Sequence, residues 1–128
     1  MLKTIAAAIA IAALAFIVPA QAQMMEPAKT MDTAKGKALA DGKGMTLYTF
    51  DKDEAGKSNC NGGCAANWPP LMAPAGAKPS GNWSVVTRDD KSTAWAYKGK
   101  PLYTFAKDGK PGDAAGDGIG GVWHLATP

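Results

Sequence analysis

Apolar positions are spread unevenly along this chain. Ile5 to Val18 is an unbroken run of Ile, Ala, Leu, Phe and Val, preceded by Lys3 and stopped by Pro19. Ala20-Gln21-Ala22 then places small residues at the two positions a signal peptidase reads, which predicts a secretory signal over 1–22 with cleavage before Gln23. The run of 14 residues, at about 1.5 Å each in a helix, falls short of a ~30 Å hydrocarbon core and so reads as a leader, not an anchor. No second run follows. The expectation is a periplasmic or secreted protein, soluble after cleavage and without a transmembrane segment.

Beyond the leader, residues 23–35 carry Met, Lys, Ala and one Pro but no aromatic residue, which reads as a flexible N-terminal arm. From residue 36 the pattern changes to short alternating segments separated by turn residues. Ala94–Tyr97 and Pro101–Phe105 flank Lys98-Gly99-Lys100 and predict an aromatic hairpin. Lys37–Ala40 and Met45–Phe50 flank Asp41-Gly42-Lys43-Gly44 in the same plan. Trp83–Arg88 and Val122–Leu125 add two strands rich in β-branched and aromatic residues. No segment has the spacing of an amphipathic helix, so the predicted domain, 36–128, is all-β.

The segments repeat. Leu47-Tyr48-Thr49-Phe50 returns as Leu102-Tyr103-Thr104-Phe105, and Lys43-Gly44, Lys52-Asp53, Gly63 and Trp68 return as Lys98-Gly99, Lys107-Asp108, Gly118 and Trp123, ten identities at one offset of 55 residues. This predicts two copies, about 36–72 and 83–126, related by pseudo-two-fold symmetry as a sheet, sandwich or partial barrel. In each copy alternation puts Tyr48 and Phe50, or Tyr103 and Phe105, on one face, with Asp53 or Asp108 just past the strand. Paired aromatics for the core and an aspartate fixing the following turn explain the unit structurally. A recognition, metal or carboxylate-hydrolase site made by the two aspartates is the sharper alternative.

These blocks resemble the bacterial secreted-repeat lipoproteins defined by a Y-x-(F/W/Y)-x-x-D motif, a family of unknown function. The likeness rests on Leu47–Asp53, Cys60–Cys64, Asn67–Leu71, Trp95–Tyr103 and Gly118–His124. It implies a repeat and an exported location, and no substrate or catalytic residue. The lipidation cysteine of the lipoprotein members is missing here.

Composition narrows the function classes. The chain has 128 residues, 20% charged and 46% hydrophobic, and the roughly one domain left after the leader is too small for a large cofactor fold. Lys+Arg 14 against Asp+Glu 11 gives a formal charge of +3, with the signs interspersed; nucleic acid is not an expected partner.

The two cysteines, Cys60 and Cys64, fall in the exported part and predict a static disulfide, closing a loop whose Gly62 and Gly63 suit unusual φ values. So short a loop contributes only about 2 kcal/mol by chain entropy, so its role is local shape. The spacing matches neither a thioredoxin-type C-x-x-C nor a haem-attaching C-x-x-C-H. His124 is the single histidine and points outward by alternation with Trp123. A copper or haem-associated redox carrier would draw on Cys60, Cys64, His124 and the methionines Met24, Met25 and Met31. Asp51-Lys52-Asp53-Glu54 opens like a calcium loop but has Ala55 at position five and Gly62 at twelve. Asp108, Asp113 and Asp117 have no ligand spacing. Trp68 and Trp123 recur and suit the core, whereas Trp83 and Trp95, if exposed, could bind sugar or peptide. The leading expectation is an exported, non-enzymatic binding or structural module without cofactor or metal, its partner an envelope protein, a glycan or a small ligand.

Overall fold

A computed structural model describes residues 27–128; the leader, Met24 and Met25 lie outside the described residues. Among the described residues, seven short strands form three small antiparallel sheets. β1 (Lys29–Thr33) pairs with β2 (Gly36–Ala40). β3 (Tyr48–Phe50) pairs with β7 (Trp123–Leu125), and β4 (Trp83–Thr87), β5 (Thr93–Tyr97) and β6 (Lys100–Pro101) make a three-stranded sheet. One five-residue helix, α1 (Gly63–Asn67), and a 3₁₀ turn (Ile119–Gly121) occur at corresponding places in the two copies. The all-β expectation holds, in three small sheets.

Two boundaries differ from the sequence expectation. Residues 29–33, read as part of a flexible arm, are strand β1, and Ala28 before them is buried. The strand shows no apolar alternation because Met31 is its one apolar residue, half-buried like Thr33 and lying against Gly44 and Gly112. The second difference is length. Met45–Phe50 shortens to β3 with a single bridge from Thr46 to Ala40, and Pro101–Phe105 shortens to the end of β6 with bridges at Tyr103.

The halves interleave. Tyr48 bridges Tyr103, with N–H···O bonds of 2.7 and 3.0 Å in the two directions. Tyr48 also pairs with Leu125 and Tyr103 with Pro70. These are equivalent pairs, so each copy's tyrosine strand is paired by the segment after the tryptophan of the other copy. In the first copy that segment is Trp68-Pro69-Pro70, whose prolines cannot donate to a ladder. It therefore forms a bridge where the second copy forms strand β7.

Two buried clusters result. One gathers Ala28, Leu39, Leu47, Trp83, Leu102 and Ala126, with Leu71, Trp95 and Tyr97 packed against it. The other gathers Tyr48, Cys60, Trp68, Tyr103, Phe105 and Trp123. The repeated aromatics are thus core residues, as their recurrence suggested.

Candidate functional site

The tyrosines at the crossing of the two copies reach into each other's loops. Tyr48 Oη donates to Asp108 Oδ2 at 2.6 Å, and Tyr103 Oη donates to Asp53 Oδ2 at 2.6 Å. Each aspartate also fixes its own following turn, as expected of an Asp after a strand: Asp53 Oδ1 accepts the Asn59 N–H at 2.6 Å, and Asp108 Oδ1 accepts the Ala115 N–H at 2.9 Å. The motif is therefore a clasp exchanged between the copies.

Each phenol oxygen is also an acceptor. Tyr48 takes the Gly116 N–H at 3.2 Å, and Tyr103 lies 2.6 Å from Ser58 Oγ. Because Arg88 Nη1 donates to Ser58 Oγ at 2.7 Å and Tyr103 donates to Asp53, the serine hydroxyl donates to the tyrosine. Arg88 Nη2 binds the Cys60 carbonyl at 2.7 Å and Asn61 Oδ1 at 3.3 Å. Arg88 is buried, and its hydrogen bonds hold the Cys60–Cys64 loop against the first clasp. A Cβ on Gly116 would lie 2.7 Å from Trp68 and 3.0 Å from Tyr48, which is why the second copy has glycine there.

Burial is the main force on the protonation of Asp53, Tyr48 and Tyr103. It raises Asp53 above the usual carboxylate range, partly opposed by the bonds from Tyr103 and Asn59 and by the Arg88 charge. Burial, then the bond to a carboxylate, pushes Tyr48 and Tyr103 well above the usual tyrosine range. Raised folded values mean that the phenols' contribution to stability is intact below the ordinary tyrosine value of about 10 and is lost as pH climbs past it. Urea-unfolding stability should accordingly fall steeply in alkali, and Tyr48→Phe and Tyr103→Phe should each flatten that fall. An unchanged slope in both variants would assign it to other groups.

Around the clasps lies a stack of four rings. Trp68 and Trp123, the repeat-related pair, face each other at 3.7 Å with planes 2° apart. Phe50 stacks on Trp123 at 4.2 Å, and Phe105 on Trp68 at 4.1 Å. Tyr48 and Tyr103 meet the tryptophans edge-on, at 5.4 Å to Trp68 and 5.3 Å to Trp123. The Cys60–Cys64 disulfide, Cα–Cα 5.2 Å, borders this cluster. Gly62 takes φ +57°, while Gly63, expected to share that role, starts α1 with ordinary helical geometry.

The remaining candidates scatter. His124 is exposed and opposite Thr49, and its Nε2 lies 2.7 Å from Asp51 Oδ2. Trp83 is buried in the first cluster, which corrects its reading as a candidate surface binder; its place on β4 turns it onto Trp95 and Tyr97. Its indole N–H has no partner among the described residues. Trp95 is half-buried against the same cluster. Among the residues invoked for a redox or metal carrier, the cysteines are joined, His124 is engaged by Asp51 and Met31 is packed on glycines. Among the described residues no group of three or more His, Cys, Asp or Glu is gathered as a metal site, and no helix is long and apolar enough to cross a membrane. An open cavity of about 130 Å³ lies elsewhere, lined among others by Thr49, Tyr97, Lys98, Lys100, Leu102 and Leu125.

The sequence reading missed Arg88, Ser58 and the Asp51–His124 pair. Arg88 left one signal, being the sole arginine beside thirteen lysines; a serine contributing one hydroxyl left none. A family model described as a secreted repeat of unknown function matches the chain twice, over residues 29–72 and 84–127. No curated protein and no solved structure matches it.

Proposed function

Because the chain belongs to the family of secreted repeats of unknown function, we propose that it is an exported, non-enzymatic binding module of the bacterial periplasm or envelope. One observation carries the reading. Both motif aspartates, the carboxylates a hydrolase would need, are engaged on both oxygens within the fold. Each carboxylate oxygen already holds a donor from within the fold, so the partner in line for proton exchange is a tyrosine of the other copy and not a bound substrate. Open among the described residues is the cavity lined by Tyr97, the exposed Lys98 and Lys100, and Leu102 and Leu125 among others. Lys98 Nζ sits 5.3 Å from the Tyr97 ring centroid. Cations beside an aromatic ring and apolar side chains suit a small acidic sugar or carboxylate.

The test is an NMR titration of the intact secreted chain with glucuronate, and with glucose as the neutral control. Shifts confined to Thr49, Tyr97, Lys98 and Lys100, produced by glucuronate only and abolished in Lys98→Glu/Lys100→Glu, are the expected result. No shift at these residues, or turnover of the sugar that disappears in Asp53→Asn/Asp108→Asn, would overturn the proposal.

A further inference from the structure

The clasp tyrosines carry chemistry that ligand binding does not use. Each is buried, each donates to a carboxylate at 2.6 Å, and each accepts a hydrogen bond on the same oxygen, from the Gly116 N–H or the Ser58 hydroxyl. A phenol so placed keeps its proton at rest, as the raised Tyr48 and Tyr103 values require. Once an electron is removed the situation reverses. A phenol radical cation is a strong acid, and the proton has an acceptor already in line. The bond donated from behind then stabilises the oxygen left bare.

The rings supply the route for the electron. Tyr48 abuts Trp68, Tyr103 abuts Trp123, and the two indoles face each other at 3.7 Å and 2°. Parallel indoles in contact share a positive charge over both rings, so the pair is the easiest place in the cluster to remove an electron. Both tryptophans keep about a twentieth of their surface exposed, 6% for Trp68 and 5% for Trp123, within reach of an outer-sphere oxidant.

We propose that Tyr48, Trp68, Trp123 and Tyr103 form a one-electron relay, oxidised by a one-electron acceptor of the high-valent haem class. The balance is simple. One electron passes from the Trp68–Trp123 pair to the acceptor, which is reduced by one. Tyr103 or Tyr48 returns one electron to the pair; its O–H bond breaks, and an O–H bond forms on Asp53 Oδ2 or Asp108 Oδ2. The products are a neutral tyrosyl radical, a protonated aspartate and the reduced acceptor. One electron from a one-electron reductant of the enediolate class, with return of the proton from the aspartate to the phenol oxygen, restores the resting state.

The experiment uses the intact chain with its disulfide formed and photo-oxidised ruthenium tris-bipyridine as the acceptor, followed by transient absorption and electron paramagnetic resonance. The relay predicts a tryptophan radical that decays into a tyrosyl radical, more slowly in D2O than in H2O because an O–H bond breaks in that step. The tyrosyl signal should be lost in Tyr48→Phe/Tyr103→Phe, where only the hydroxyls are removed. It should survive in Tyr97→Phe, a residue outside the stack that leaves the rings untouched. Loss of the signal in Tyr97→Phe, absence of any tyrosyl radical in the wild type, or identical rates in H2O and D2O would each overturn the relay. The wild-type and Tyr97→Phe measurements decide the matter even where the double variant fails to fold, and both are made without glucuronate.

Discussion

Trp68→Ala should lower the unfolding free energy by about 3–5 kcal/mol, the cost of emptying a large aromatic site in a core. Trp68 stacks on Trp123 and on Phe105 and takes the edge of Tyr48. Removing the indole therefore strips contacts from three rings at once, two of them supplied by the other repeat. Small domains are stable by about 5–15 kcal/mol in total, so this variant sits near the limit of folding. Trp68→Phe keeps part of the stack and should fall between wild type and alanine. Trp95→Ala is the contrast, since that ring is half-buried and lies outside the stack. Urea unfolding of the four proteins measures the differences, and a Trp95→Ala cost equal to that of Trp68→Ala would show that the stack holds the copies together no more than any other packing.

Stacking of one copy on the other explains why the sequence announced the parts of this site and not their assembly. Recurrence of Tyr, Phe, Asp and Trp at one offset marked each copy, and the alternation of Tyr48 with Phe50 placed them in a strand. Local rules even predicted half of what Asp53 and Asp108 do, because accepting a backbone N–H six or seven residues on is a short-range event. Their other oxygens are taken by tyrosines 50 and 60 residues away, and periodicity within one copy is blind to that. The same limit applies to β1. Lys29–Thr33 is polar, its pairing with β2 is a backbone matter, and an apolar-alternation argument passes over it. Trp83 was legible as an aromatic strand residue, but which side of β4 meets the core depends on sheet packing that no local pattern carries.

Arg88 gives the second large effect, and its size depends on pH. In Arg88→Met the Ser58 hydroxyl and the Cys60 carbonyl, in the most buried part of the loop, lose their charged donors. The Ser58 hydroxyl keeps its bond to Tyr103, but the buried Cys60 carbonyl is left without a partner at a cost of about 1–3 kcal/mol, so the loop anchoring the disulfide should loosen. Arg88 also opposes the upward push on Asp53; without it the folded Asp53 value rises further. For an acid whose folded value is raised, the stabilising contribution is complete below the unfolded value of 3.8 and is lost as pH rises through the folded value. The gap between wild type and Arg88→Met should therefore be smallest in acid, where Asp53 is protonated in both, and widest at neutral pH. Arg88→Lys keeps the charge but loses the fork that reaches Ser58 and Cys60 together. It should recover the pH dependence while keeping much of the loss seen in acid. Urea midpoints of the three proteins measured from acid to neutral pH separate the two roles of this side chain. A gap independent of pH would leave Arg88 as a hydrogen-bond donor alone, with no electrostatic hold on the first clasp.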